Sequence, residues 1–141
     1  MKNAFLFSVP HSGSRMLCSA LTSHPDIFCP HGYFRKKPHR LVNPIEAMDE
    51  LAEDLGPPMA IVGHVHCDDV NWTKMPGALP MILLTRESVG LEPMADLTVT
   101  YEELTNGADM DSIPEYIARY LCDFLEVKYH PMHSSVRKGD G

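Results

Sequence analysis

Three stretches carry residue types whose spacing suits chemistry. In Val9-Pro10-His11-Ser12-Gly13-Ser14-Arg15, hydroxyl residues flank a glycine between an apolar run, Phe5 to Phe7, and residues at helical spacing, Met16, Leu17, Ala20 and Leu21. This reads as strand, turn and helix, the helix predicted from about Gly13 to Ser23 and stopped by His24-Pro25. Without a Cβ at Gly13, backbone N–H groups can converge on a phosphate-sized anion, and the helix adds roughly half a positive charge there. No lysine follows Gly13 as a nucleoside-triphosphate loop requires. The second stretch runs from Met59 into Gly63-His64-Val65-His66-Cys67-Asp68-Asp69, and the third is Leu79 to Thr85 ending at Arg86. Both read as buried parallel strands with polar ends. In an open parallel sheet those ends border one crevice, so the anion turn, a histidine and Arg86 are expected at one edge.

Each feature has a plainer reading. At least one of His64 and His66 is a satisfied strand-end residue, and His64 is taken as the functional one, a neutral imidazole able to act as general base. Gly63-His64-Val65-His66 is also similar to the G-H-x-H phrase of binuclear metallophosphatases, but the companion D-x-H, G-D and G-N-H phrases are missing. A mononuclear site from His64, His66 and Cys67 is opposed by strand alternation, which turns Cys67 away, so no metal is expected. Arg35 to Arg40 is a basic run that suits either a solvated loop or a rim attracting an anion. Arg86 could equally form a surface ion pair. Trp72 reads as a core plug.

The chain has 141 residues, 44% of them hydrophobic, enough for a single domain with one sizeable core. Its net charge of -7 opposes general nucleic-acid binding, and no apolar run has membrane-spanning length. A cytoplasmic setting is expected, and Cys18, Cys29, Cys67 and Cys122, lacking C-x-x-C spacing, read as buried free thiols.

Pro10, Ser12, Gly13 and Ser14, continued by Leu17-Cys18-Ser19-Ala20-Leu21-Thr22-Ser23-His24-Pro25-Asp26-Ile27, resemble the 5′-phosphosulfate loop and first helix of sulfotransferases that use 3′-phosphoadenosine 5′-phosphosulfate (PAPS). The resemblance continues in order. His64 ends a strand, Arg86 follows the next, Tyr101-Glu102-Glu103-Leu104 is similar to a late Y-E-[DE]-L phrase, Tyr120 to Val127 to the last helix, and Arg137-Lys138-Gly139 to a basic R-K-G phrase. His11 stands where the family has Lys or Arg. The resemblance implies that Ser12, Gly13, Ser14 and Arg15 hold the 5′-phosphosulfate, that His11 assists the leaving group, and that His64 is the base. It implies that Arg86, Arg137, Lys138 and Gly139 hold the 3′-phosphate of PAPS or of its product, 3′-phosphoadenosine 5′-phosphate (PAP). The acceptor would be a hydroxyl or amine on a small molecule or glycan.

The expected architecture is a compact, P-loop-like sulfotransferase α/β fold over residues 1–141, three-layered, with a mainly parallel sheet of about four strands and a flexible or cofactor-covering tail from 131 to 141. Asn43-Pro44 opens a helix to about Leu55, Leu97 to Leu104 alternates as a strand, and a helix after Pro114 buries Ile113, Ile117, Tyr120, Leu121, Phe124 and Leu125. The expected activity is sulfuryl transfer. The alternatives are a PAPS- or PAP-binding module without an acceptor site and, more weakly, a metal-dependent phosphoesterase.

Overall fold

The structure, a computed structural model, describes residues 2–9, 12–36, 43–55, 59–66, 79–86, 92–106 and 112–135. Five strands, β1 (Ala4–Ser8), β2 (Ile27–Phe28), β3 (Ala60–His66), β4 (Met81–Thr85) and β5 (Leu97–Thr100), form one open, all-parallel sheet in the order β2-β3-β1-β4-β5. The strand beyond the expected four is β2, whose two residues are too few to show a period.

Among the described residues the helices are α1 (Ser14–Thr22), α2 (Tyr33–Lys36), α3 (Pro44–Leu55), α4 (Tyr101–Leu104) and α5 (Glu115–Leu125), with one 3₁₀ turn at Glu92–Met94. Strand alternation divides the core by sheet face. Ala4, Leu6, Val62, Ile82 and Leu84 pack with Met16, Leu17 and Leu21 of α1 and Ile117, Leu121 and Leu125 of α5. Phe5, Phe7, Ile61, Val65 and Leu83 pack with Tyr33 and Phe34 of α2 and Met48 of α3. Burial on both faces explains why the strands read as continuous apolar runs. Gly63 lies where β3 meets α2, and a Cβ there would stand 2.7 Å from Phe34 Cε2.

Connectivity places the crevice. From β1 the chain crosses through α1 to the far edge at β2, then returns through α2 and α3 on the opposite face to β3. Reversing direction while changing face preserves the hand of the crossover. From β4 the chain moves outward the other way, to β5. The adjacent strands β1 and β4 therefore lead off in opposite directions, which opens a topological switch point between their carboxyl ends.

Two expected boundaries change. The strand predicted over Leu97 to Leu104 stops at Thr100, and Tyr101–Leu104 is a helical turn. Thr100 Oγ1 accepts the Glu103 N–H at 3.1 Å while Glu103 Oε1 accepts the Thr100 N–H at 3.2 Å, a capping box that overrides the alternating pattern. In α5, Ile117, Leu121 and Leu125 are buried as expected, but Tyr120 is 58% exposed and off the apolar stripe. The first part of the predicted tail is docked. Met132 and Ser134 are buried, the His133 N–H donates to Ser23 Oγ at 3.1 Å, and the Ser135 N–H donates to Ser19 Oγ at 2.8 Å. Residues 133 to 135 thus run along α1 toward its N-terminal end.

His24 of the His-Pro phrase is structural. Its Nδ1 accepts the Asp26 N–H at 2.9 Å and its Nε2–H donates to the Lys128 carbonyl at 2.7 Å, tying the α1–β2 turn to the chain after α5. Among the described residues no helix is long and apolar enough to cross a membrane.

Candidate functional site

The turn after β1 takes its shape from two residues. Gly13 adopts φ +90° and ψ 26°, a left-handed conformation that costs other residues free energy. The buried Ser12 hydroxyl donates to the Val9 carbonyl at 2.6 Å, closing the turn from within. Gly13 is the N-cap of α1, with no side-chain cap, and its carbonyl accepts the Leu17 N–H at 2.9 Å. The N–H groups of Ser14, Arg15 and Met16 belong to the first turn, whose donors have no acceptor within the helix. A bound anion there gains both those donors and the helix dipole.

The opposite wall is aromatic and cationic. A Cβ on Gly13 would lie 3.0 Å from Leu104 Cδ2 and 3.2 Å from Tyr101 Cδ2, so α4 packs directly against the turn. The same Tyr101 ring carries the Arg86 guanidinium, whose Cζ is 3.9 Å from the ring centroid. Arg86 is exposed immediately after β4, so the turn and the arginine stand on either side of the β1/β4 switch point with Tyr101 between them. Arg15 points elsewhere. It is exposed and lines a groove of about 300 Å³ along α1 with Cys18, Ser19, Thr22, Cys29 and His31.

A second cluster lies on the other side of Ser14. His64 and His66 share the α1 face of β3, opposite Leu6 and Ser8 of β1, and His31 reaches them from the turn after β2. The ring centroids are 4.6 Å apart for His31 and His64, 4.7 Å for His64 and His66, and 5.7 Å for His31 and His66. Ser14 Oγ is 3.2 Å from His31 Nε2, so the first turn of α1 borders this cluster.

His64 is wholly buried, and its contacts fix its tautomer. Nδ1 accepts the Gly32 N–H at 2.7 Å, which leaves the ring proton on Nε2, where it is donated to Ser8 Oγ at 2.7 Å. The geometry therefore opposes the expected role of His64 as general base: both ring nitrogens are engaged and no face is open to an acceptor. In this arrangement His64 anchors the His31-Gly32 turn.

The structure thus brings Ser12, Gly13 and Ser14 to the turn and Arg86 across from them, with Arg15 on the groove and His64 against His31, which Ser14 touches. His11, Arg137, Lys138 and Gly139 lie outside the described residues, as do Trp72, Cys67 and most of the basic run. Two contributors were not legible. The alternation from Leu97 predicts a strand through Tyr101, although Thr100-x-x-Glu103 carries the capping-box signature. His31 lies 33 residues before His64 and gave no local signal.

Cys18, Cys29 and Cys122 are buried free thiols, as expected. Burial, reinforced by the neighbouring Cys18, pushes the Cys29 thiol well above its ordinary pKa, and burial raises Cys122 too. A higher pKa leaves less thiolate at neutral pH. Alkylation of Cys29 and Cys122, followed residue by residue by mass spectrometry, should be at least about tenfold slower in the native protein than in urea. Equal rates would contradict this burial. No protein-family model, curated protein or solved structure matches the chain.

Proposed function

We propose that this chain binds PAPS at the β1/β4 crevice and transfers its sulfuryl group to a hydroxyl or amine acceptor, with a compact, three-layered sulfotransferase-like architecture. The observation that carries the reading is the pairing of the uncapped α1 N-terminus at Gly13 with Arg86 across the Tyr101 ring. The first suits a 5′-phosphosulfate and the second a 3′-phosphate, since a guanidinium offers several donors to one phosphate. Further support comes from the docked residues 133 to 135, which head along α1 toward this end, the direction from which Arg137, Lys138 and Gly139 would cover the nucleotide. His11, next to the turn in sequence, would assist departure of the phosphate. The acceptor oxygen or nitrogen attacks sulfur, the bond to the 5′-phosphate oxygen breaks with its electron pair staying on PAP, and the acceptor's proton passes to solvent water.

The second reading is a PAPS- or PAP-binding module without turnover, and the engagement of both His64 nitrogens favours it. Calorimetry comparing PAP with AMP tests what the readings share. PAP is expected to bind at least about tenfold more tightly, a difference of about 1.4 kcal/mol, and Arg86→Ala should remove most of that preference. Equal affinities for PAP and AMP would refute both readings. Release of PAP from PAPS in the presence of hydroxyl and amine acceptors then separates the enzyme from the binder.

A further inference from the structure

We propose that His31, His64 and His66 form a site for a zinc-type divalent transition-metal ion, separate from the nucleotide crevice. One candidate ligand nitrogen from each ring lies within 4.8 Å of the others. Zinc–nitrogen distances of about 2.0–2.1 Å place tetrahedral ligand nitrogens about 3.3 Å apart, so the widest pair must close by about 1.5 Å. The half-buried His31 and His66 supply that movement by side-chain rotation, while His64 is held from the strand.

The hydrogen bonds decide how His64 would coordinate. Through Nε2 it would have to lose the ring proton while Nδ1 still accepted from Gly32, leaving an anionic imidazolate. Through Nδ1 it keeps the Nε2–H donated to Ser8 Oγ, the outer-shell arrangement that orients a metal-bound imidazole. The metal then replaces the Gly32 N–H at Nδ1, and loading loosens the His31-Gly32 turn. Three imidazoles select zinc, cobalt, nickel or copper over magnesium or calcium. Ser14 Oγ, at 3.2 Å from His31 Nε2, borders the cluster, and three protein ligands leave a fourth tetrahedral position for water.

The test uses the full chain, stripped with chelator and free of nucleotide, so it stands apart from the PAP experiment. Titration with Zn²⁺ should show one tight site that Mg²⁺ does not fill. His31→Ala and His66→Ala should each weaken it at least about 100-fold, since even outer-shell partners carry 10–100-fold. His133→Ala, at an exposed histidine, should leave it unchanged. Far-UV circular dichroism checks that the variants fold. A readout on the unaltered protein is independent of them: the ring ¹⁵N shifts of His31, His64 and His66 move together on Zn²⁺ addition, and amide exchange at Gly32 accelerates. Absence of a tight site, affinity indifferent to His31→Ala and His66→Ala, or zinc shifts confined to other histidines would overturn the proposal.

Discussion

His64→Ala is expected to destabilise the fold by about 3–5 kcal/mol, a large part of the stability of a domain this size. The substitution leaves the buried Gly32 N–H without its acceptor, at about 1–3 kcal/mol, and opens a cavity between β3 and α1. Ser8 loses its donor as well, though a hydroxyl can rotate toward another partner. His64→Asn separates these contributions. Its Oδ1 stands two bonds from Cβ, as Nδ1 does, and can accept the Gly32 N–H, so it should recover at least about 1 kcal/mol of the loss. Urea denaturation of the three proteins measures this directly. A near-neutral His64→Ala would show that His64 does not anchor the turn and would restore it as a candidate base. The effect also bears on activity assays: a fall in turnover on His64→Ala is meaningful only when read beside His64→Asn and the folded fraction.

The elements legible in the sequence are those with a long enough pattern. Phe5 to Phe7, Met59 to Val62 and Met81 to Leu84 announce buried strands through short apolar runs, and α1, α3 and α5 through helical spacing. The anion turn and Arg86 were readable because each is local, a glycine between hydroxyls and a cation at a strand end. What escaped depends on the order of strands. Once β3 lies between β2 and β1, the turn after β2 must pass over the end of β3, and His31 meets His64 and His66 there. Spacing along the chain carries no trace of that meeting. Tyr101 escapes for a different reason: Leu97 to Glu102 alternates apolar with polar before Glu103-Leu104 breaks the period, and the reciprocal Thr100 and Glu103 bonds decide for helix. That short helix matters because it brings the Tyr101 ring against Gly13 and under Arg86.

Gly13→Ala should therefore act on stability and on binding together. At φ +90° an alanine pays for left-handed backbone, about 1–2 kcal/mol, and its Cβ would press on Leu104 at 3.0 Å and Tyr101 at 3.2 Å. A total loss of about 1–3 kcal/mol is expected from urea midpoints. Relief of the contact has two routes, and both harm the site. If the backbone relaxes toward negative φ, the first N–H groups of α1 turn away from a common point; if Tyr101 retreats, the ring beneath Arg86 moves with it. PAP affinity should then fall at least about tenfold in the fraction that remains folded. Ser12→Ala provides the contrast, because its hydroxyl serves the Val9 carbonyl and its loss should cost about 1 kcal/mol of stability, with a smaller effect on binding. A Gly13→Ala protein that is destabilised yet binds PAP as tightly as the parent would place the nucleotide away from this turn.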